Sequence, residues 1–228
     1  MAVKAYADYK PALALKYVRN VMDRHSKDGL AFQRYGRVKQ DGLGDDILSG
    51  NSLSVVGLYQ AIYGINPLYN RFYLNPHITT ELAGTALKYN FRGRQLTISL
   101  NMNRYAVSNK KYKIISNKHF GFYGLQNELS YFDGNNAVAS LVAKTDAESD
   151  LTLDIKEWGA DEMVWLQTST GKHANKLKYT ICQLTPGISY TITINGKSMA
   201  PVKSNAEGTI IFNHNTSATP GRIVIAKE

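Results

Sequence analysis

Three aspartates lie within one long connection between two predicted helices: Asp41, Asp45 and Asp46. A carboxylate can act as a general base or accept hydrogen bonds from sugar hydroxyls. Asp45 and Asp46 also stand directly before the second predicted helix, where carboxylates cap the first turn and complement the helix dipole. Helix capping is the simpler interpretation of this pair, and a role as a general base or a sugar contact is the alternative.

Two further sets of side chains are suited to binding a sugar. In the same connection, an amide, a guanidinium and a phenol follow one another and offer hydrogen bonds to hydroxyl groups. Further along the chain, a tryptophan stands near two carboxylates, and its ring could stack on a pyranose while the carboxylates bind hydroxyls. The alternative for the tryptophan is a half-buried place in a β-sandwich. The candidate sugar-binding residues are Gln33, Arg34, Tyr35, Trp158, Asp161 and Glu162.

Other kinds of active or binding site find little support in the sequence. Cys182 is the only cysteine, which excludes an internal disulfide and any metal site with several cysteine ligands. The histidines are scattered without metal-ligand spacing, and neither a glycine-rich phosphate loop nor a serine-centred nucleophile elbow occurs. We therefore expect no metal ion and no cofactor.

The chain carries a net charge of +9, and its densest basic segment covers residues 104–118. An anionic partner would explain such a segment, but lysines guarding a sheet edge are the simpler explanation. No nucleic-acid-binding motif accompanies it, and no apolar run approaches the roughly 20 residues of a membrane span. We expect neither nucleic acid nor a membrane as a partner. Charges stand where a signal peptide would be apolar, so no export signal is visible and localisation stays open.

Helical patterns are confined to the first quarter of the chain. The apolar spacing predicts one helix over about 8–25, capped by Asp8, and a second over about 50–63. Gly64 stands where a C-terminal cap belongs, and Pro67 prevents the helix from resuming. Because the first helix is apolar around much of its circumference, it requires more neighbours than one other helix supplies.

From residue 65 onward, apolar and polar residues alternate, as in strands with one buried face. Two-residue turns separate several of these strands, among them Arg92-Gly93 and, most clearly, Asn195-Gly196. The sequence therefore predicts a mainly β fold with an N-terminal α-hairpin. We expect two domains, a helical hairpin over 1–64 and an antiparallel β-sandwich over 65–228.

The segment over residues 50–98 resembles the exit from the helical barrel in six-hairpin, (α/α)6 carbohydrate-active enzymes. The likeness is to inverting disaccharide phosphorylases of the cellobiose phosphorylase type and to related glycosidases. It consists of three short patterns, G-I-x-P-x-Y, L-x-P and F-R-G, at the spacing found in those enzymes. The residues that carry it are Gly64, Ile65, Pro67, Tyr69, Leu74, Pro76, Phe91, Arg92 and Gly93.

This resemblance implies that the chain is the C-terminal part of a glycoside hydrolase or phosphorylase. The first 64 residues would be the last hairpin of a truncated barrel, and the β-sandwich would support that barrel without being active alone. The general acid would lie upstream, outside this chain. In some inverting relatives the general base lies in the connection that corresponds here to residues 26–50, which contains Asp41, Asp45 and Asp46 but no glutamate. Arg92 would bond backbone carbonyls at the junction.

The implied partners are a carbohydrate, bound through the parent enzyme, and either an upstream barrel polypeptide or a second copy of the chain. Two alternatives remain open. One is a free-standing carbohydrate-binding module that uses Trp158 or Trp165. The other is a structural subunit that supplies the last hairpin of a barrel to a partner chain.

Overall fold

The computed structural model describes residues 2–29, 32–39, 41–46, 55–145, 150–169, 176–215 and 219–228. The chain divides into two compact units. The helical unit consists of Met1–Asn66 and Asn75–Ala83, and the β unit consists of Pro67–Leu74 and Gly84–Glu228. The prediction of a mainly β fold with helices at its N-terminus is confirmed.

The helical unit begins with two helices where the sequence predicts one. Helix α1 covers Ala2–Ala7, and helix α2 covers Pro11–Asp28 with a proline in its first turn. The predicted cap by Asp8 is wrong, because α2 begins after Lys10 and has no side-chain cap. Asp8 Oδ1 instead lies 2.8 Å from Nε2 of His77. Proline fixes its φ near the helical value and needs no donor at this position, which explains the later start.

The long connection between the two predicted helices contains a β-hairpin, which the sequence does not predict. Strands β1 (Phe32–Tyr35) and β2 (Gly42–Asp46) pair in an antiparallel hairpin, with Arg34 opposite Leu43. The backbone of Asp45 and Asp46 therefore lies in a strand. The glycines and charges of this segment suggested a loop, but a hairpin needs only short runs of extended residues and a turn.

The second helix ends in a π-helical turn, Leu58–Ile62, directly before Gly64. Gly64 has φ +67, the left-handed conformation that commonly ends helices. Its carbonyl accepts a hydrogen bond of 2.8 Å from the backbone N–H of Asn75. The apolar core of this unit consists of Ala7, Ala14, Leu15, Val18, Ala61 and Ile62.

Helix α2 buries only part of its apolar surface. Leu15 and Val18 face the core of the helical unit, while Tyr17, Val21 and Met22 are exposed. Residues 17 and 21 are one turn apart, so they form a continuous apolar strip beside the buried face. The stacked ring of Tyr6 covers Tyr17 only in part, with 5.7 Å between ring centroids.

Strands follow one another through the rest of the chain. They are β3 (Ile65–Pro67), β4 (Phe72–Leu74), β5 (Thr85–Phe91), β6 (Arg94–Asn101), β7 (Arg104–Ser108), β8 (Tyr112–Ser116), β9 (Phe120–Leu125), β10 (Glu128–Asp133), β11 (Leu141–Thr145), β12 (Leu151–Trp158), β13 (Glu162–Thr168), β14 (Lys176–Ile181), β15 (Ser189–Ile194), β16 (Lys197–Ser198), β17 (Val202–Lys203), β18 (Ile210–Asn215) and β19 (Gly221–Lys227).

Most of these strands form two sheets that face each other. The spatial order is β18-β14-β11-β10-β9-β4-β3 in the seven-stranded sheet and β16-β15-β19-β13-β12-β8-β7-β6-β5 in the ten-stranded sheet, with β17 beside β15. The prediction of a wholly antiparallel sandwich is wrong at one place, because β8 and β12 pair in parallel. The period-two pattern is the same for parallel and antiparallel strands, so it does not reveal strand direction.

Aromatic side chains fill the space between the sheets. Trp165 on β13 and Tyr179 on β14 are fully buried, with ring centroids 5.5 Å apart across the two sheets. The ring of Tyr179 stacks on Phe212 at 5.1 Å, and its hydroxyl donates a short hydrogen bond to Gln167 Oε1. Cys182 is partly buried just beyond β14.

Two buried phenols make the stability of the protein depend on alkaline pH. Burial raises the pKa of Tyr131 and of Tyr179 above the ordinary value of 10.0. The fold therefore holds both phenols neutral, whereas the unfolded chain releases their protons once the pH exceeds about 10. Each phenol then removes about 1.4 kcal/mol of stability for each pH unit above that value.

We expect Tyr179→Phe to reduce the loss of unfolding free energy between about pH 10 and pH 11 by one phenol's share. Urea denaturation at a series of pH values, followed by circular dichroism, measures that slope. At neutral pH the variant is less stable by about 1–3 kcal/mol, because Gln167 loses its partner. The control Tyr9→Phe removes a phenol that is already exposed to water. An unchanged alkaline slope in Tyr179→Phe would contradict the prediction.

Candidate functional site

A cleft lies on the outer face of the seven-stranded sheet, opposite the aromatic core. Ser130 on β10 faces away from the aromatic core but is only 3% exposed, with Tyr123 of β9 on one side and Val142 of β11 on the other. Residues of two loops, 68–71 and 134–140, also line the cleft. The cleft has a volume of about 480 Å³. We call it the outer-sheet cleft, and its lining residues are Tyr69, Asn70, Arg92, Tyr123, Glu128, Ser130, Phe132, Ala137, Ala139 and Val142.

The turn between β5 and β6 brings a cation to the cleft. Arg92 and Gly93 have φ +52 and +73, as the predicted two-residue turn requires. The Arg92 guanidinium carbon lies 5.5 Å from the ring centroid of Tyr69 and 5.2 Å from that of Phe91. Nη2 of Arg92 donates a long hydrogen bond of 3.4 Å to the carbonyl of Leu68. The ring of Tyr69 is 91% exposed, so this aromatic surface is open to a ligand.

A buried arginine builds the wall of the cleft. The side chain of Arg71 is only 5% exposed and lies over the ring of Phe132, with 5.4 Å from Cζ to the ring centroid. Nη1 donates to Asn70 Oδ1 at 2.7 Å, and Nη2 donates to the carbonyl and side-chain oxygens of Asn135 at 3.0 and 3.1 Å. Gly121 makes room below, because a Cβ there would lie 2.7 Å from Cδ of Arg71.

Amide side chains hold the two loops together. Asn70 Nδ2 donates to the carbonyl of Ala137 at 2.8 Å. Gln183 accepts from Asn136 Nδ2 at 2.9 Å and donates to the carbonyl of Val138 at 2.7 Å. Strand β11 therefore begins only at Leu141. The alanines and valine of this segment matched a strand pattern, but their backbone is bonded to side chains instead.

The cleft contains both charged and neutral hydrogen-bonding groups. Glu128 is the carboxylate among its lining residues, and it accepts a 3.0 Å hydrogen bond from the Ser130 hydroxyl. The other oxygen of Glu128 lies 3.5 Å from Nζ of Lys144. The guanidinium of Arg92 and the amide of Asn70 also line the cleft. An exposed aromatic surface with hydrogen-bonding groups around it can hold a ring that has one apolar face and several hydroxyls.

The tryptophan of the predicted sugar platform, Trp158, does not present a fully exposed ring. Trp158 is partly buried, with ring centroids 5.0 Å from Tyr131 and 6.2 Å from Trp165. Asp161 and Glu162 are exposed at the turn between β12 and β13. The Asp161 carboxylate lies 3.9 Å from Nζ of Lys227. The platform stays a prediction, but the tryptophan ring is mainly engaged with the aromatic core.

The structure describes the three candidate aspartates only in part. Asp41 is exposed next to β2. The side chains of Asp45 and Asp46 lie outside the described part of the structure, and so do those of Gln33 and Tyr35. Arg34 is exposed on β1. Their catalytic and sugar-binding roles stay predictions.

Several lining residues of the cleft carry no signal in the sequence. Tyr123, Glu128 and Ser130 occupy the polar phase of strand alternation, which predicts only an exposed position. Tyr69 and Arg92 belong to the segment that resembles a barrel exit. The sequence signal that could have indicated the cleft is an arginine in a turn position that favours asparagine or glycine.

Among the described residues, no group of three or more histidine, cysteine or acidic side chains is placed to hold a metal ion. Within the same residues, no helix has the length and apolar character needed to cross a membrane. Comparisons with known proteins give no relative, because no family model, no curated protein and no solved structure matches this chain.

Proposed function

We propose that the β unit is a glycan-binding module of a carbohydrate-active enzyme, and that the outer-sheet cleft is its binding site. The observation that carries this proposal is the open ring of Tyr69, stacked with Arg92 at the edge of a polar cleft. A sugar ring placed on Tyr69 would bury its apolar face while its hydroxyls bond to polar groups of the lining such as Asn70 and Glu128. This moves the predicted module from Trp158 to the opposite side of the seven-stranded sheet.

A glycan panel tests the proposal. Affinity electrophoresis of the purified chain through gels containing plant, bacterial and fungal polysaccharides identifies ligands, and calorimetry measures their affinity. We expect Tyr69→Ala to weaken binding about tenfold, because an aromatic contact of this kind contributes on the order of 1 kcal/mol beyond the apolar area it buries.

The matched control for this experiment is Tyr9→Ala, which removes another highly exposed tyrosine from the helical unit. We expect it to leave glycan binding unchanged. Binding that persists in Tyr69→Ala would exclude the cleft as the site. Absence of binding across the whole panel would overturn the glycan-binding function itself.

The exposed strip on α2 supports a second proposal, that the helical unit is the last hairpin of an (α/α)6 barrel. Tyr17, Val21 and Met22 are apolar and exposed although they lie beside the buried face. In a barrel, neighbouring helices of the parent enzyme would cover this strip. The resemblance of residues 50–98 to the barrel exit of inverting phosphorylases and glycosidases favours this arrangement.

Self-association tests the role of the strip. We expect sedimentation velocity to reveal concentration-dependent dimers of the chain, and Val21→Lys to abolish them. Asn20→Lys, which adds the same charge at an exposed polar position of α2, is the control. A monomer at all concentrations would contradict the proposal of an uncovered barrel face or a structural subunit.

Within this proposal the chain alone has no hydrolytic or phosphorolytic activity. The general acid would be on the upstream barrel, and Asp41, Asp45 and Asp46 would supply at most a general base. Purified chain should therefore release no sugar from aryl glycosides. Release of sugar that is lost in Asp45→Asn or Asp46→Asn would refute this expectation.

A further inference from the structure

We propose that the outer-sheet cleft selects an acidic glycan, and that the guanidinium of Arg92 binds the carboxylate or sulfate group of one of its sugars. This inference rests on the proposed glycan-binding function and adds the charge of the ligand. It follows from the position of Arg92, from the burial of Arg71 among neutral hydrogen-bond partners, and from the contact of Glu128 with Lys144.

Arg92 has a left-handed backbone conformation, which is unfavourable for an arginine. Arg92 is the first residue of a two-residue turn, where φ is +52 and asparagine, aspartate or glycine is favoured. The chain uses that preference elsewhere, because Asn195 and Gly196 form a turn with φ +50 and +80. An arginine with a left-handed backbone costs free energy that an asparagine avoids. A benefit of the side chain itself explains why an arginine stands there.

The side chain of Arg92 lies beside two aromatic rings. Its guanidinium carbon is 5.5 Å from the ring centroid of Tyr69 and 5.2 Å from that of Phe91. Its one hydrogen bond to a described residue is the long contact with the Leu68 carbonyl. A guanidinium with donors left over can bind a carboxylate or sulfate through two parallel hydrogen bonds.

The wall of the cleft contains a cation whose hydrogen-bond partners are neutral. Arg71 is buried, and its guanidinium donates to Asn70 and Asn135. Its Nε is buried without an acceptor among the described residues. A buried cation without an opposite charge is costly, and an anion nearby offsets that cost. Phe132, whose ring packs against this guanidinium, also lines the cleft, so the charge of Arg71 lies behind the lining.

Glu128, the carboxylate among the lining residues, already has partners of its own. Its Oε2 lies 3.5 Å from Nζ of Lys144, and its Oε1 accepts a hydrogen bond from Ser130. With Arg92 in the lining and Arg71 behind it, the arginines at the cleft outnumber this carboxylate. We therefore expect a positive potential there, which attracts acidic polysaccharides.

A pair of polysaccharides that differ only in charge tests the inference. Polygalacturonate carries a carboxylate on each sugar, and its fully methyl-esterified form has the same backbone without the charge. We expect calorimetry to give binding of polygalacturonate at least tenfold tighter than of the ester, weakening as the salt concentration rises. Dextran sulfate and neutral dextran form a second pair that distinguishes a sulfate from a carboxylate.

Arg92→Asn is the decisive variant, because it removes the cation and gives the turn a residue that suits it. We expect it to weaken binding of the acidic polysaccharide about 10–100-fold, the loss of one hydrogen-bonded charge, while the melting temperature stays the same or rises. Lys113→Gln removes an equal charge from an exposed site on the ten-stranded sheet and should leave binding unchanged. This control separates the cleft from a general attraction by the net charge of +9.

The outcomes separate the two proposals. Equal binding of the acidic and neutral forms would overturn the acidic preference and leave glycan binding intact. Acidic binding that survives Arg92→Asn would overturn the role assigned to Arg92. Binding of neither form, together with no binding in the wider glycan panel, would overturn both proposals.

Discussion

Replacing Trp165 by alanine is expected to lower the free energy of unfolding by about 3–5 kcal/mol. Trp165 is fully buried between the sheets, where its ring lies 5.5 Å from Tyr179 and 6.2 Å from Trp158. Removing it leaves a cavity bordered by aromatic rings that cannot move together without shifting both sheets. Because domains of this size have a total stability of about 5–15 kcal/mol, the variant should be close to unfolding at 37 °C.

Urea denaturation followed by far-ultraviolet circular dichroism measures this loss, since tryptophan fluorescence changes with the substitution itself. Trp165→Phe is the matched control, because it keeps an aromatic ring at the same place in the core. We expect the control to lose about 1–2 kcal/mol. Equal stability of Trp165→Ala and the natural chain would mean that the sheets do not pack around this ring.

Replacing Gly64 by alanine is expected to cost about 2–5 kcal/mol. Its φ of +67 strains any residue with a Cβ, and the added carbon would overlap the carbonyl group of Asn75. That carbonyl belongs to backbone, which cannot turn aside as a side chain would. The substitution must therefore separate the end of the second helix from residues 75–77, where hydrogen bonds join Gly64 to Asn75 and Ile62 to His77.

Gly29 supplies the control for this experiment within the same unit. It also has a positive φ, +78, but a Cβ there would meet no atom within 4 Å. Gly29→Ala should therefore cost only the backbone strain, about 1–2 kcal/mol. If thermal and urea denaturation give the same loss for both variants, the contact with Asn75 does not constrain the helix end.

The sequence predicts the regular parts of the β unit well, because one physical signal dominates there. Leu96, Ile98 and Leu100 alternate with polar residues, and all three are buried on β6. Asn195-Gly196 predicts its turn because few other residue pairs tolerate two positive φ angles. The weaker elements fail where several local signals compete, as in the hairpin of β1 and β2, whose residues look like a loop.

The outer-sheet cleft was beyond prediction for a different reason. Its wall depends on Arg71 reaching Asn135 and on Asn70 reaching Ala137, and these contacts join residues more than sixty positions apart in the sequence. No local pattern encodes such a contact. Tyr69 and Arg92 stand out in the sequence because they lie in the segment that resembles a barrel exit. Their neighbours in the cleft are brought there by these long-range contacts and by the register of the strands.

The parallel pairing of β8 with β12 has a consequence for how the β unit forms. Between these two neighbours in the ten-stranded sheet, the chain passes through β9, β10 and β11, which are central strands of the other sheet. Closing so long an excursion costs chain entropy before any contact repays it. The strands of the two sheets are thus interleaved along the chain, and we expect amide protons of β8, β10 and β12 to exchange with solvent through one shared opening event.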